Sequence, residues 1–280
     1  MPKFAELEDG LKLCYEIHGD ENAEPLILVM GWTFPKERWL AQVGPFSEHF
    51  KVITFDNRGS GKSDRPDESY TMEMMAKDII GLMDYLDIES AHMMGYALGG
   101  MILQRLAIDY PDRLNKLVLL NTVAAFPSDE GVENVKNINI KALDFQQNAP
   151  KKYFMKSMGM AFHRNFIKEI KENPDQKFHD LWTIDEVAEI FTKDPQEPKD
   201  VANQCNAMLG FNILDEIGSI ESETLIMAAS HNRLHPKAAM EEMNERIPNS
   251  TLEIIKKAGD SCYLSRAPEI NELVIDFLTD

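Results

Sequence analysis

The chain has 280 residues, 44% of them hydrophobic, with no biased tract, which is enough to bury one large core, with or without an inserted subdomain. With 29 basic against 47 acidic residues the formal charge is −18, a balance that opposes binding to phosphate backbones and anionic lipid surfaces. Nucleic acid and membrane are therefore not expected as partners, and a charge of this size speaks of solubility without naming a partner or an oligomeric state.

The first ten residues, MPKFAELEDG, lack the basic and apolar regions of a signal peptide. No apolar run approaches the ~18 residues of a membrane span, so a cytoplasmic location is expected. Leu11 to Gly19 alternates as a strand, and PLILVM (Pro25 to Met30) is a continuous apolar run of buried-strand type. Lys36 to His49 reads as helix and KVITFD (Lys51 to Asp56) as a second buried strand. An amphipathic helix MEMMAKDIIGLMDYLDI follows, then AHMMG as strand, LGGMILQRLAIDYP as a helix stopped by Pro111, and LNKLVLLNTV as strand. Strands alternating with helices imply right-handed crossovers and a parallel sheet covered on both faces.

From Ala124 to Asn212 the alternation gives way to amphipathic helix, including the long stretch KKYFMKSMGMAFHRNFIKEIKEN and TIDEVAEIFTKD. It resumes with ETLIMAAS as strand, PKAAMEEMNERI as helix, TLEIIKK as strand and EINELVIDFL as helix. The expected organisation is a core of residues 1–123 and 213–280 with a helical cap at 124–212. Cys14, Cys205 and Cys262 are an odd, scattered set without CxxC spacing, so reduced thiols are expected.

Gly95-Tyr96-Ala97-Leu98-Gly99 lies between a strand and a helix, with two glycines at the spacing of a G-x-S-x-G nucleophile elbow and alanine at its centre. The segments around it keep a matching order. LVMGWTFPKERW resembles the loop after a third strand, FDNRGSGKSDRP the turn after a fourth, LNKLVLLNT a sixth strand, ETLIMAASHNRLHP an acid-bearing loop after a seventh strand, and IIKKAGDSCYLSRAPEINELVIDFL a histidine loop and last helix. In these segments the chain resembles the α/β-hydrolase superfamily over nearly all its length. It is most similar to small bacterial esterases and lactonases of the enol-lactonase type. The resemblance implies a mostly parallel, doubly wound α/β sheet with a helical cap inserted between strands 6 and 7.

It also places Ala97 at the nucleophile position, Asn232 at the acid position and Asp260 at the histidine position. Serine chemistry needs a base to take the proton and an acid to orient the base, so these three residues leave no machinery for acyl transfer. After the sixth strand, where some relatives carry the acid, stand Asn121 and Thr122. Ser261 and Cys262 flank Asp260 without an evident base. The main-chain N–H groups of Trp32 and Leu98, by analogy an oxyanion hole, survive any side-chain change that spares the turn. Gly31, Gly95 and Gly99 are equally explained by the turns of the fold.

Asp260 in a capped, partly apolar pocket is expected to have its pKa raised by desolvation and to serve as a candidate acid or base. The plainer alternative pairs it with Asn232 by a hydrogen bond. Tyr96 could add a phenol to the site or simply pack. His231, His235, Asp260 and Cys262 could form an N/O/S cluster at one pocket edge, but the loop lacks helical geometry, so neither metal nor cofactor is expected. Gly59-Ser60-Gly61-Lys62-Ser63 resembles the end of a phosphate-binding loop, yet the residue five before Gly61 is Asp56 and the pattern fails. Arg58 is expected to pair locally in this turn.

Met155, Met158, Met160 and Phe162 of the cap, with Met30, Met93 and Met94 near the sheet edge, could line an adaptable apolar pocket or be core. With Trp32 and Trp182 they favour an apolar small-molecule ligand. Three functions stay open: a pseudoenzyme that binds a small apolar ligand in the former active-site pocket, a lyase-, isomerase- or cyclase-like enzyme working by proton transfer, and an inactivated or redesigned esterase or lactonase.

Overall fold

The structure is a computed structural model that describes residues 2–126 and 128–280; Met1 of the expected core and Pro127 of the expected cap lie outside the described residues. The chain opens with β1 (Lys3–Glu6), β2 (Lys12–His18) and β3 (Pro25–Val29), followed by α1 (Val43–Ser47), β4 (Lys51–Phe55) and α2 (Met72–Tyr85). Next come β5 (Ala91–Tyr96), α3 (Leu98–Asp109) and β6 (Leu114–Leu120). Five helices then intervene: α4 (Asp129–Asn148), α5 (Pro150–Ala161), α6 (Arg164–Glu172), α7 (Ile184–Ile190) and α8 (Pro198–Asn206). The chain closes with β7 (Glu223–Ala229), α9 (Lys237–Arg246), β8 (Ser250–Ile255), α10 (Cys262–Ser265) and α11 (Ala267–Thr279).

The strands form one eight-stranded sheet in the order β1-β2-β4-β3-β5-β6-β7-β8. The pairs β1/β2 and β2/β4 are antiparallel and all the others parallel. Every residue of β5 is buried, which is why its sequence runs apolar instead of alternating: helices cover both faces. At the edge, β8 alternates between exposed and part-buried positions. Because β3 sits between β4 and β5, the winding direction reverses there, and the loops leaving the carboxyl ends of β3 and β5 start side by side.

Local chemistry fixes the helix ends. Thr71 caps α2 by accepting from the Met74 amide, and Thr183 and Glu186 form a reciprocal capping box at α7. Two stretches read as single helices are broken. Lys36 to His49 is a 3-10 turn (Lys36–Trp39) followed by short α1, where Pro45 has no amide to continue the preceding turn. The long cap stretch ends α5 at Ala161, with Phe162 extended (φ −124, ψ 154) and His163 capping α6. The Ala161 carbonyl, released from helical bonding, accepts from the Ser261 amide at 2.9 Å. Phe162 itself packs into the apolar cluster shared by cap and sheet.

Arg58 has a local partner in Glu68, 3.5 Å from its Nη1, but its shortest pairing is distant. Its Nε and Nη2 donate to the Asp78 carboxylate of α2 at 2.6 Å each, a bidentate bond across 20 residues. The phosphate-loop lookalike has a structural role: Asp56 accepts from the Lys36 and Lys62 amides at 2.7 and 3.0 Å. Gly61, at φ +50, is required there because a Cβ would lie 2.3 Å from the Asp56 carboxylate. At the base of the inserted helices Ala125 and Asn212 form an isolated antiparallel bridge, tying the two ends of the insert together. All three cysteines are free and buried. Among the described residues no helix is long and apolar enough to cross a membrane.

Candidate active site

The turn from β5 into α3 is built by packing that leaves no room for side chains on either side. A Cβ on Gly99 would lie 2.0 Å from the Val29 carbonyl oxygen, and one on Gly95 would lie 2.6 Å from the Gly100 nitrogen. Between them Ala97 takes φ 51, ψ −116, a conformation L residues avoid. Its amide donates to Leu120 O at 3.1 Å, and its carbonyl accepts from Thr122 Oγ1 at 2.8 Å, so the end of β6 holds the turn from both sides.

Leu98 is the first residue of α3, where the amide has no acceptor within its own helix and the helix dipole favours negative charge. Gly31 brings the β3 loop against this turn, its position 3.2 Å from Ala97 Cβ when a Cβ is built on it. The next residue is Trp32. Among the described residues neither the Leu98 nor the Trp32 main-chain N–H has a hydrogen-bond acceptor. The Trp32 side chain donates from Nε1 to Val201 O at 3.3 Å, and Thr33 N donates to Gln204 Oε1 at 2.8 Å, so α8 anchors this loop.

Asp260 lies at the carboxyl end of the sheet, only 7% exposed, and three donors converge on it. The Tyr96 hydroxyl donates to Oδ2, while Asn232 Nδ2 and His235 Nδ1 each approach Oδ1 at 2.9 Å. Burial pushes its pKa up, but His235, through hydrogen bond and charge, together with the bonds from Tyr96 and Asn232, outweighs burial and holds the carboxyl below its ordinary value. The shift thus runs downward, against the expectation, because three donors favour the ionised carboxylate. The alternative pairing with Asn232 is present. Burial and the neighbouring Asp260 charge push the Tyr96 phenol well above its ordinary value, so it stays protonated as a donor.

Asn232 serves two masters, since its Oδ1 accepts the Leu234 and His235 amides at 2.9 and 3.0 Å and so folds the loop that presents His235. His231, expected at the same edge, does not reach Asp260. It meets His163 of the cap edge to face at 4.6 Å, with Ser230 Oγ 2.8 Å from its Nδ1. No group of three possible metal ligands occurs among the described residues. Cys262 is fully buried, and burial and the Asp260 charge drive its thiol pKa far up, which disfavours the nucleophilic thiolate.

Met30, Tyr96 and Ala97 share one apolar cluster with Met94 and the cap residues Phe154, Met158 and Phe162. Met93 points to the opposite face of the sheet, and Met160 is 54% exposed, so neither belongs to this wall.

Three further residues take part, of which the sequence marked the position of Asn121 but not its bonds. Asn121 Nδ2 donates to Asp260 O at 2.7 Å and its Oδ1 accepts the Ala229 amide at 2.9 Å, tying three strand ends together. Tyr263 packs its ring 4.8 Å from that of Tyr96, and Arg38 donates to the Tyr263 hydroxyl from Nε and Nη2 at 3.1 and 2.7 Å. The asparagine ending LVLLN was visible; nothing local marked Arg38 or Tyr263.

Comparison with known proteins agrees with the fold. A family model described as alpha/beta hydrolase fold matches residues 24–267. A relative from Caulobacter segnis, named "Putative carbamate hydrolase RutD", is 27% identical over 274 residues, covering 96% of this chain and 97% of its own. Among solved structures, the enol-lactonase from Burkholderia xenovorans superposes with a TM-score of 0.82 at 23% identity, covering 99% of this chain and 100% of that one. A thermophilic esterase from Thermogutta terrifontis gives 0.82 at 23% identity, covering 100% and 98%. The chain belongs to the α/β hydrolase fold family.

Proposed function

We propose that this protein uses the hydrolase frame without serine acyl transfer: all three triad positions are substituted, and the former active-site pocket binds a small, largely apolar molecule through a carbonyl or carboxylate oxygen. The Trp32 and Leu98 amides are the anchors for that oxygen, and the apolar wall of cap and sheet edge accepts the rest of the molecule. The observation that carries this reading is Ala97. A non-glycine residue at φ 51, ψ −116 costs on the order of 1–3 kcal/mol, and such strain persists where it serves a site. With no nucleophile to present, what the strained turn still presents is the Leu98 amide at the start of α3.

The relatives' names set the compounds to try: carbamates, enol-lactones, esters and the corresponding carboxylates. At a concentration a hundredfold above Kd, a ligand stabilises the native state by about 2.7 kcal/mol, which for a chain of this size raises Tm by roughly 5–8 °C. We expect at least one member of the panel to do so without being hydrolysed. If no compound shifts Tm, or if the protein turns over p-nitrophenyl esters with the rates of a serine esterase, the reading is wrong.

A second reading, an inactivated or redesigned esterase or lactonase, is favoured by the names of the relatives alone. It requires Ala97→Ser, Asn232→Asp and Asp260→His together to restore ester turnover; an inert triple variant supports old divergence.

A further inference from the structure

The family places its carboxylate after β7 and its histidine after β8, whereas here the carboxylate Asp260 follows β8 and His235 follows β7, the two paired at 2.9 Å. We infer that His235 and Asp260 form an exchanged dyad in which His235 Nε2 is a working base and Asp260 is the positioning residue. The inference rests on the ligand-binding reading of the same pocket and adds the class of chemistry: proton transfer to and from a molecule held there.

The chemistry follows from the hydrogen bonds. Asp260 is acceptor-only in its ionised form, and both of its oxygens are engaged, Oδ2 by the Tyr96 hydroxyl and Oδ1 by Asn232 and His235. Whenever the imidazole is neutral, its single proton must therefore sit on Nδ1, facing Asp260. The Nε2 lone pair is left free to accept a proton, and among the described residues Nε2 has no hydrogen-bond partner. The side chains of His235 and Asp260 are 13% and 10% exposed, so the pair is shielded yet reachable. Orientation is supplied from two directions. Asn232 Oδ1 binds the His235 main-chain amide, while Asn232 Nδ2 and the Tyr96 hydroxyl fix the carboxylate. A base oriented by a hydrogen-bonded carboxylate is the arrangement that activates a hydroxyl or withdraws an acidic proton.

Tyr96 ties the dyad to the elbow, because it is the residue before Ala97 and bonds the far oxygen of the same carboxylate. The dyad assignment predicts that a hydroxyl introduced at position 97 comes within reach of His235 Nε2. With a fluorophosphonate probe the hydroxyl oxygen bonds to phosphorus, the P–F bond breaks, fluoride leaves with the electron pair, and the hydroxyl proton passes to His235 Nε2.

Two measurements decide the matter. In protein carrying 15N-labelled histidine, long-range proton–nitrogen correlation should show His235 as the Nδ1–H tautomer when neutral, with that preference lost in Asp260→Asn. The Nε2–H tautomer in the wild-type protein would overturn the dyad, and this readout requires no variant to fold. Fluorophosphonate labelling should be at least ~10²-fold faster in Ala97→Ser than in Ala97→Ser/His235→Gln, the lower bound for a positioned base. Equal labelling of the two, or none in a folded Ala97→Ser protein, would overturn the assignment. Neither outcome depends on a ligand being found, so failure of the dyad and failure of the ligand-binding reading are distinguishable.

Discussion

Asp260 shows how one side chain's neighbours decide its chemistry. Burial alone would make it a proton donor; three hydrogen-bond donors make it a fixed anion instead. Hydrogen bonds to a charged group contribute about 1.5–3 kcal/mol each, so Asp260→Asn should cost about 2–3 kcal/mol at pH 7, measured by denaturant unfolding. The pH dependence follows from the sign of the shift. A carboxyl whose folded pKa lies below its unfolded value contributes stability above the unfolded value and loses it as pH falls through the folded one. The gap between wild type and Asp260→Asn should therefore close as pH drops through and below the ordinary carboxyl range. A gap that grows as pH falls through that same carboxyl range would show that burial dominates after all.

At the scale of elements, the joint between β5 and α3 is the most constrained place in the chain. Gly95 and Gly99 let it close against α3 and the end of β3, while Thr122 and Leu120 clamp Ala97 from β6. Ala97→Gly should relieve a strain of about 1–3 kcal/mol at a cost of about 0.5–1 kcal/mol in unfolded-chain entropy, for a net gain of about 1 kcal/mol. Destabilisation by this substitution would mean that the turn is relaxed. The elements themselves were legible because apolar runs without alternation mark strands covered on both faces and glycine spacing marks the elbow. What periodicity could not show was interruption. Phe162 keeps helical spacing yet leaves the helix to pack under the cap, and the stretch from Lys36 breaks before Val43 because Pro45, inside α1, has no amide to bond back to Ala41.

For the molecule as a whole, strand order and the inserted helices bring together residues that sequence spacing keeps far apart. The order of segments alone put Ala97, Asn232 and Asp260 after β5, β7 and β8. It could not show the pairings that give them meaning: Tyr96 reaches Asp260 across 164 positions and Asn121 reaches it across 139. Direction was equally hidden, because whether a carboxylate is poised or pinned depends on donors contributed by the end of β5 and by the loop between β7 and α9. The chain's central feature is thus an elbow kept in strain beside two unclaimed amides and a pinned carboxylate. The most direct test is an amide correlation spectrum of the 280-residue protein titrated with whichever carbonyl or carboxylate compound raises its Tm. The Leu98 and Trp32 amide protons should move downfield together with a common saturation curve. Saturable binding that leaves both resonances unmoved would place the ligand elsewhere and contradict it.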